Sequence, residues 1–274
     1  MSVKRGQGSG GGLLAYAVFY LAFLYVPVLF LPLFSFNDSF FISFPLAGFT
    51  TKWYDQMLAD SAMHQALWNS LKVGSVTALV STILGLLAAK AITRYQIPGK
   101  AAVVGVASLP LFVPDIVLGI SLLILMNVIS IPLSLASVII GHVLICVPFA
   151  MAVLTSRLDG FDKSLEEASL DLGESGWMTF WRVTFPLVLP GIVSSILLTF
   201  IVSFDEFLIA FFLAGTEATL PVFIWSQLRF PYKLPGVLAL GALILIASCA
   251  LVVLAEWVRR MGVSGEARDR PVGV

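Results

Sequence analysis

Three carboxylates lie inside long apolar stretches of the sequence, at Asp115, Asp205 and Glu206. A charged side chain at the centre of a bilayer costs about 2.5–3.5 kcal/mol on insertion scales, so such groups usually face a bundle interior or a water path. The pair at 205–206 has no basic residue in its own stretch, so it needs an external cation, a shared proton or water. These acids are candidates for receiving a cation. The alternative is that they form hydrogen bonds with backbone groups and neighbouring helices.

A stripe of hydroxyl side chains precedes the acidic pair at helical spacing. Ser195, Thr199 and Ser203 recur every four residues, and at about 100° per residue Glu206 falls within the same stripe. A straight helix rising about 1.5 Å per residue would carry all three acids into the outer half of the membrane. Such a stripe suits the wall of a hydrated passage. The predicted passage residues are Asp115, Thr199, Ser203, Asp205 and Glu206.

The elements that must position these residues are membrane helices. Of the 274 residues, 59% are hydrophobic and only 12% are charged, which is about half the charge of a soluble domain. A helix needs about 20 apolar residues to cross the hydrocarbon, and six stretches qualify. They are Leu13–Phe34, Leu71–Thr93, Ala101–Asn127, Leu133–Leu158, Leu187–Leu213 and Gly236–Val258. The predicted fold is all-α: a polytopic membrane protein with six transmembrane helices over residues 13–258.

The distribution of Lys and Arg predicts the orientation of these helices. With the N-terminus placed in the cytoplasm, twelve Lys and Arg residues fall on the inner side and four on the outer side. Because short cytoplasmic loops are enriched in these residues, we expect both termini to be cytoplasmic. Residues 1–12 and 259–274 would then be cytoplasmic tails.

Several other functions are disfavoured by the sequence. The net charge of zero gives no basic surface for nucleic acid, and no histidine–cysteine cluster has metal-ligand spacing. Cys146 and Cys249 lie in apolar runs and are interpreted as small buried hydrophobic residues. No P-loop pattern is present, so ATP cannot bind by that route. We expect no cofactor or metal in this chain and no enzymatic activity.

The most polar segment between the termini is the loop 158–186. Asp162 or Ser164 can cap the start of a helix there, because both side chains accept hydrogen bonds from free amides. Gly173 predicts a C-terminal stop, and a second helical piece follows toward Pro186. A helix, a bend and a second helix form a docking surface more often than a bare linker. The alternative is a solvated connection between two spans.

The motif in this loop resembles the EAA loop of binding-protein-dependent importers. The family pattern is Glu-Ala-Ala, three residues, Gly, nine residues, Ile-x-Leu-Pro. This chain keeps the spacing and departs from the pattern at Ser169, Val183 and Phe185. The resemblance implies a coupling helix in a cleft of an ATPase subunit, with Glu167 making polar contact and Ala168 packing closely. The implied coupling residues are Glu167, Ala168, Ser169, Gly173 and Pro186.

Segments along nearly the whole chain resemble the second permease of spermidine/putrescine importers. They are FSFNDS (34–39), GFTTKWY (48–54), RYQIPGK (94–100), VPDIVLGISLL (113–123), PFAMAVLTSRLDGFD (148–162) and SFDEF (203–207). The resemblance implies a type I ABC importer permease in the bacterial inner membrane. The implied cargo is a polyamine; relatives of this branch carry opines, 4-aminobutyrate or aminoethylphosphonate.

The same resemblance implies the partners. They are a second, distinct permease, two ATP-binding subunits that hold ATP and Mg, and a periplasmic solute-binding protein. An ion-coupled secondary transporter is the alternative from another class. Such transporters often contain inverted repeats, and the sequence shows none.

Overall fold

The computed structural model describes the backbone of residues 10–266 and the side chains of residues 11–250. Twelve α-helices lie in this range: α1 (Gly10–Ser35), α2 (Lys52–Leu58), α3 (Ser61–Arg94), α4 (Lys100–Ser108), α5 (Asp115–Val128), α6 (Leu135–Asp159), α7 (Ser164–Asp171), α8 (Gly176–Thr179), α9 (Phe185–Asp205), α10 (Leu208–Leu213), α11 (Leu220–Leu228) and α12 (Leu234–Glu266). Within the described residues the isolated bridge between Asn37 and Phe49 is the only extended pairing. The all-α prediction is therefore confirmed.

Five helical segments are long and apolar enough to cross a membrane. They are Gly11–Ser35, Ser61–Arg94, Leu135–Asp159, Gly176–Asp205 and Pro231–Ala250. A sixth candidate is the pair Lys100–Phe112 and Asp115–Val128, which is bent by 101°. The structure thus has the polytopic helical character that the composition predicts. The predicted tails, residues 1–12 and 259–274, fall largely outside the described residues.

The third predicted span is broken rather than continuous. A 3₁₀ turn at Leu109–Phe112 follows α4, and Val113 is extended, with φ −86° and ψ 130°. Proline disfavours the helical conformation of the residue before it, so Pro114 forces Val113 out of the helix. Asp115 becomes the first residue of α5. The straight helix from which the depth of Asp115 was expected is therefore not present.

The fifth predicted span is shifted and also broken. A π-turn at Phe180–Thr184 joins α8 to α9, so helix begins at Gly176, well before the predicted Leu187. It ends at Asp205, where Glu206 is extended at φ −68° and ψ 120°. The six residues of α10 then pack against α5 and α6. The prediction of one helix through Leu213 was wrong because the chain restarts after Glu206.

The chain divides into two compact units, one of residues 1–61 with 226–274 and one of residues 62–225. In the described part of the first unit, α1 packs against α12, with Leu31 beside Gly241. The segment between α1 and α2 is held by Asn37, whose backbone oxygen accepts from Trp53 Nε1 at 2.8 Å.

Cys249 of α12 is exposed in this chain, so the expectation that it is buried was wrong.

In the second unit, small residues let α3, α6 and α9 approach closely, as is common between membrane helices. Gly85 of α3 lies against Ala150 of α6, and Gly191 of α9 lies against the side chain of Arg157. Thr82 Oγ1 and Ser195 Oγ are 3.0 Å apart between α3 and α9. The helix interface is therefore tight and partly polar.

Two groups of contacts mark opposite ends of this unit. Arg94 contacts Leu158 and Glu166 at one end of α3. Ser70 accepts from the Leu220 amide at the other end, and the 24 residue steps from Ser70 to Arg94 span roughly 36 Å of helix. The predicted inner loops 93–100 and 158–186 therefore meet at one end of the unit.

We predict that Gly85→Ala destabilises the protein. A Cβ at Gly85 would lie 2.6 Å from the Ala150 Cβ and 2.9 Å from its carbonyl carbon. Overpacking of this kind costs about 1–3 kcal/mol, so the melting temperature of the detergent-purified protein should fall. Gly105→Ala is the control, because no atom lies within 4 Å of the added carbon. An unchanged melting temperature for Gly85→Ala would contradict the contact between α3 and α6.

Candidate functional site

The loop 158–186 folds as its sequence predicts, beginning with α7. Asp162 Oδ1 accepts from the Ser164 amide at 3.0 Å. The backbone and side-chain hydrogen bonds from Ser164 hold the pKa of Asp162 below its ordinary value. Gly173 follows the helix at φ +92°, a conformation that side-chain-bearing residues resist. Its amide donates to Leu170 and the Glu174 amide donates to Ser169, the two bonds of a Schellman motif.

The second half of the loop is tied to the first and to an aromatic cluster. Ser169 Oγ and Thr179 Oγ1 are 3.0 Å apart and join α7 to α8. An alanine at this motif position could not form that bond. Trp181 lies against Trp177, Phe180 and Phe185, with ring centroids 4.9–5.7 Å apart. The loop is therefore a folded unit and not a flexible connector.

The outer surface of this loop combines an acid with large apolar side chains. Glu167 and Ala168 are exposed, as is Pro186 at the start of α9. Leu172 is 86% exposed and Trp177 69% exposed. Exposed apolar groups on an otherwise polar segment are typical of a protein-binding surface.

Glu166, which the motif analysis passed over, lies on the inner side of α7. Its carboxylate forms an ion pair with Arg94 Nε at 2.6 Å and accepts from Thr184 Oγ1 at 2.5 Å. Arg94 Nη2 also donates to the Leu158 carbonyl at 3.2 Å, and its guanidinium lies over the Phe161 ring. The two consecutive acids, Glu166 and Glu167, were a sequence signal for this inward-facing carboxylate. Adjacent residues of a helix point about 100° apart, so the two side chains must face different sides of α7.

The three acids predicted to line a passage lie at the two helix breaks. Asp115 begins α5, and Glu206 occupies the break between α9 and α10. Glu206 Oε1 accepts from the Ile209 amide at 2.6 Å, and Gly119 of α5, about one turn after Asp115, lies beside the Leu208 carbonyl. Asp205 and Asp115 are exposed in this chain, whereas Glu206 is half-buried. The break before α5 and the break before α10 are therefore neighbours.

Thr199 and Ser203 lie elsewhere, inside the packed helices. Thr199 Oγ1 donates to the Ser195 carbonyl at 2.7 Å, and Ser203 Oγ is 2.8 Å from His142 Nδ1. Both side chains are buried between α9 and its neighbours. The stripe that was expected to line a passage with Glu206 instead stabilises the helix interface in this chain.

Three aromatic side chains, Phe207, Phe211 and Trp225, lie beside the acidic break, and their sequence positions do not indicate this grouping. Phe207 lies 5.5 Å from Trp225 and 5.6 Å from Phe211, centroid to centroid. The position of a Cβ on Gly119 of α5 would be 2.7 Å from Phe212, so α5 packs directly on α10. Carboxylates beside aromatic faces can bind an organic cation through ion pairing and cation–π attraction.

Comparison with known sequences gives long matches. A family model described as binding-protein-dependent transport system inner membrane component matches residues 81–261. The spermidine/putrescine transport system permease protein PotC of Escherichia coli strain K12 is 34% identical, over 90% of this chain and 94% of its own length. The Haemophilus influenzae PotC is 36% identical, over 87% and 93%. The putrescine transport system permease protein PotI of Escherichia coli K12 is 35% identical, over 81% and 82%.

Comparison with solved structures gives the same fold. A chain of a bacterial ABC transporter that imports the acidic polysaccharide alginate superimposes with a TM-score of 0.67 at 17% identity, over 95% of this chain and 99% of that one. A second structure of the alginate transporter, in complex with an alginate-bound periplasmic protein, gives a TM-score of 0.68 at 16% identity, over 92% and 93%.

We predict that Gly173→Ala loosens the loop. The left-handed conformation costs a residue with a side chain about 1–2 kcal/mol, so amide exchange between Ala168 and Glu174 should become about ten-fold faster. Gly176→Ala is the matched control, because Gly176 has no positive φ and no atom within 4 Å of an added carbon. Equal exchange rates in the two variants would contradict a strained bend at Gly173.

Proposed function

The chain belongs to the family of binding-protein-dependent transport system inner membrane components, and we propose that it passes a polyamine into the cytoplasm, driven by ATP. It is an ABC importer permease and not an enzyme. In this proposal a periplasmic binding protein delivers spermidine or putrescine to the outer face. The spans then alternate between outward- and inward-facing states. The single observation that carries the cargo assignment is the placement of Asp115 and Glu206 at two neighbouring helix breaks.

The proposed topology has six spans with both termini in the cytoplasm. It counts the bent pair α4–α5 as one crossing, since α4 follows the short connection after Arg94 and α5 leads to the opposite end of its unit, where Leu133 lies beside Gly215. The excess of Lys and Arg on the side of loops 93–100 and 158–186 favours placing that side in the cytoplasm. This arrangement puts the loop 158–186 within reach of a cytoplasmic subunit, in the bacterial inner membrane.

The proposed role of the loop 158–186 is to dock an ATP-binding subunit. Glu167 and Ala168 are exposed on α7 beside apolar side chains that water alone would not favour. Ser169 and Gly173 hold the helix and its bend, and Pro186 leads into α9. ATP and Mg would bind in two partner subunits, and a second, distinct permease would complete the passage.

The proposed cargo is a small organic cation. Asp115, Asp205 and Glu206 supply negative charge without a nearby base in their own helices, and Phe207 with Trp225 supplies aromatic faces. The names of the relatives, which describe spermidine/putrescine and putrescine permeases, favour the same cargo. Opines, 4-aminobutyrate and aminoethylphosphonate are the alternatives, and each also carries an amino group.

We predict that Glu167→Ala weakens docking. Losing hydrogen bonds to a charged group costs about ten-fold or more in affinity, so less ATP-binding subunit should be retained on the tagged permease. ATP-dependent uptake of labelled spermidine into proteoliposomes should fall with it. The control is Glu174→Gln, because Glu174 pairs with Arg182 at the surface, where such pairs contribute little. Normal retention and uptake in Glu167→Ala would refute this role.

We also predict that Asp115→Asn and Asp205→Asn each raise the KM for spermidine or putrescine uptake. The loss of a charged contact corresponds to about ten-fold in affinity. Glu206→Gln is less informative, because the Glu206 carboxylate also holds the Ile209 amide. The control is Asp159→Asn, the same charge change at the far end of α6.

If neither variant changes the KM for a polyamine, the cation site is wrong. Uptake that persists without any ATP-binding subunit and follows a proton gradient would instead favour an ion-coupled transporter. Competition by 4-aminobutyrate or an opine but not by spermidine would reassign the cargo and leave the ABC importer class intact.

A further inference from the structure

We propose that Glu166 and Arg94 form an internal tie that carries movement of the loop 158–186 into the membrane helices. The inference rests on the proposed docking of that loop to an ATP-binding subunit. Docking alone moves α7; transport requires that the spans move with it. The residue that faces the partner and the residue that transmits its movement are then different residues of the same helix.

The tie joins three elements through one carboxylate. One oxygen of Glu166 pairs with Arg94 Nε at 2.6 Å, in the last turn of α3. Its other oxygen accepts from Thr184 Oγ1 at 2.5 Å, where the π-turn enters α9. The side chains of Arg94 and Glu166 are only 8% and 13% exposed. A displacement of α7 must therefore move both spans or break a buried ion pair.

Arg94 extends the tie to a third span. Its Nη2 donates to the carbonyl of Leu158 near the end of α6, at 3.2 Å, and Phe161 packs against the guanidinium face at 4.6 Å. A guanidinium is planar, and its donors have fixed directions. The single side chain thus fixes the ends of α3 and α6 relative to the carboxylate of α7.

The second ion pair of the loop lacks these properties. Arg182 and Glu174 pair at the surface, with side chains 63% and 32% exposed. This pair does not reach α3, and solvent screens it. It offers a matched control, because the same residue types form an ion pair in the same loop without joining it to α3.

Glu166 is therefore a positioning residue. It lies next to Glu167 in sequence but points about 100° away from it around α7. Removing Glu167 should reduce docking, whereas removing the Glu166 charge should leave docking and uncouple it from the spans. In this proposal Glu167, on the outer face of α7, binds the partner subunit, and Glu166, on the inner face, connects α7 to the spans.

The test is amide hydrogen exchange in the complete transporter, reconstituted in nanodiscs with and without ATP and vanadate. In the wild type, exchange should respond to nucleotide both in α7 and in the last two turns of α3, residues 87–94. In Glu166→Gln the response of α7 should persist, while that of α3 falls by about five-fold or more, the lower range of typical coupling. Solute imported per ATP hydrolysed should fall in parallel, and Glu174→Gln should behave as the wild type.

Two results would overturn the tie. One is an α3 response in Glu166→Gln equal to that of the wild type. The other is a parallel loss of the α7 and α3 responses, which describes failed docking and not a broken connection. If the Glu166→Gln complex does not assemble, Arg94→Gln gives the same comparison from the other side, because it removes the charge and the guanidinium from α3 and leaves α7 unchanged.

Failure of the proposed function has a different signature. A wild-type complex in which α7 does not respond to nucleotide would contradict the docking of this loop, and the tie with it. A wild-type complex in which α7 responds and α3 does not would leave docking intact and refute the tie alone. The exchange measurement needs no knowledge of the cargo, so an error in the cargo assignment affects neither reading.

Discussion

The interior of a bilayer offers no water to a polar group, so a buried donor or acceptor is costly unless it finds a partner within the protein. The hydroxyls of α9 follow this constraint: Thr199 donates to its own helix, and Ser203 meets His142 on α6. A stripe of hydroxyls can therefore serve helix packing as well as a passage, and sequence spacing alone does not distinguish the two.

Helix breaks are costly under the same constraint, because they free backbone groups that lipid cannot satisfy. The break after α9 is stabilised by Glu206, whose carboxylate accepts the Ile209 amide as α10 begins. The break before α5 places Asp115 at a helix start, where a negative charge is favoured. Each acid thus stabilises the start of a helix: Glu206 that of α10 and Asp115 that of α5. The packing of α5 on α10 places the two breaks near each other and near the aromatic side chains of Phe207, Phe211 and Trp225.

The sequence was informative where the physics is local. Apolar length predicted the membrane helices, and Gly173 predicted the bend after α7. It was less informative where distant segments meet. Pro114 makes a break in the third span local and readable, but the 101° bend also depends on how α4 and α5 pack against α6. Likewise, nothing near Glu166 in sequence indicates Arg94, which lies 72 residues away and forms the ion pair only after the spans assemble.

The motif at 167–173 therefore describes only the exposed side of α7 and the bend that follows it, and not the contacts that join α7 to the spans. Its spacing specifies a helix, a bend and an exposed acid, which suit the docking proposed for this loop. Docking alone moves no span. The charge of Glu166 is worth burying only because Arg94 and Thr184 compensate it, since an unpaired charge there would be strongly destabilising. A buried pair is also harder to screen or rearrange than a surface pair. The residues that recognise a partner and those that transmit its motion are thus subject to opposite requirements, exposure for one and exclusion of water for the other.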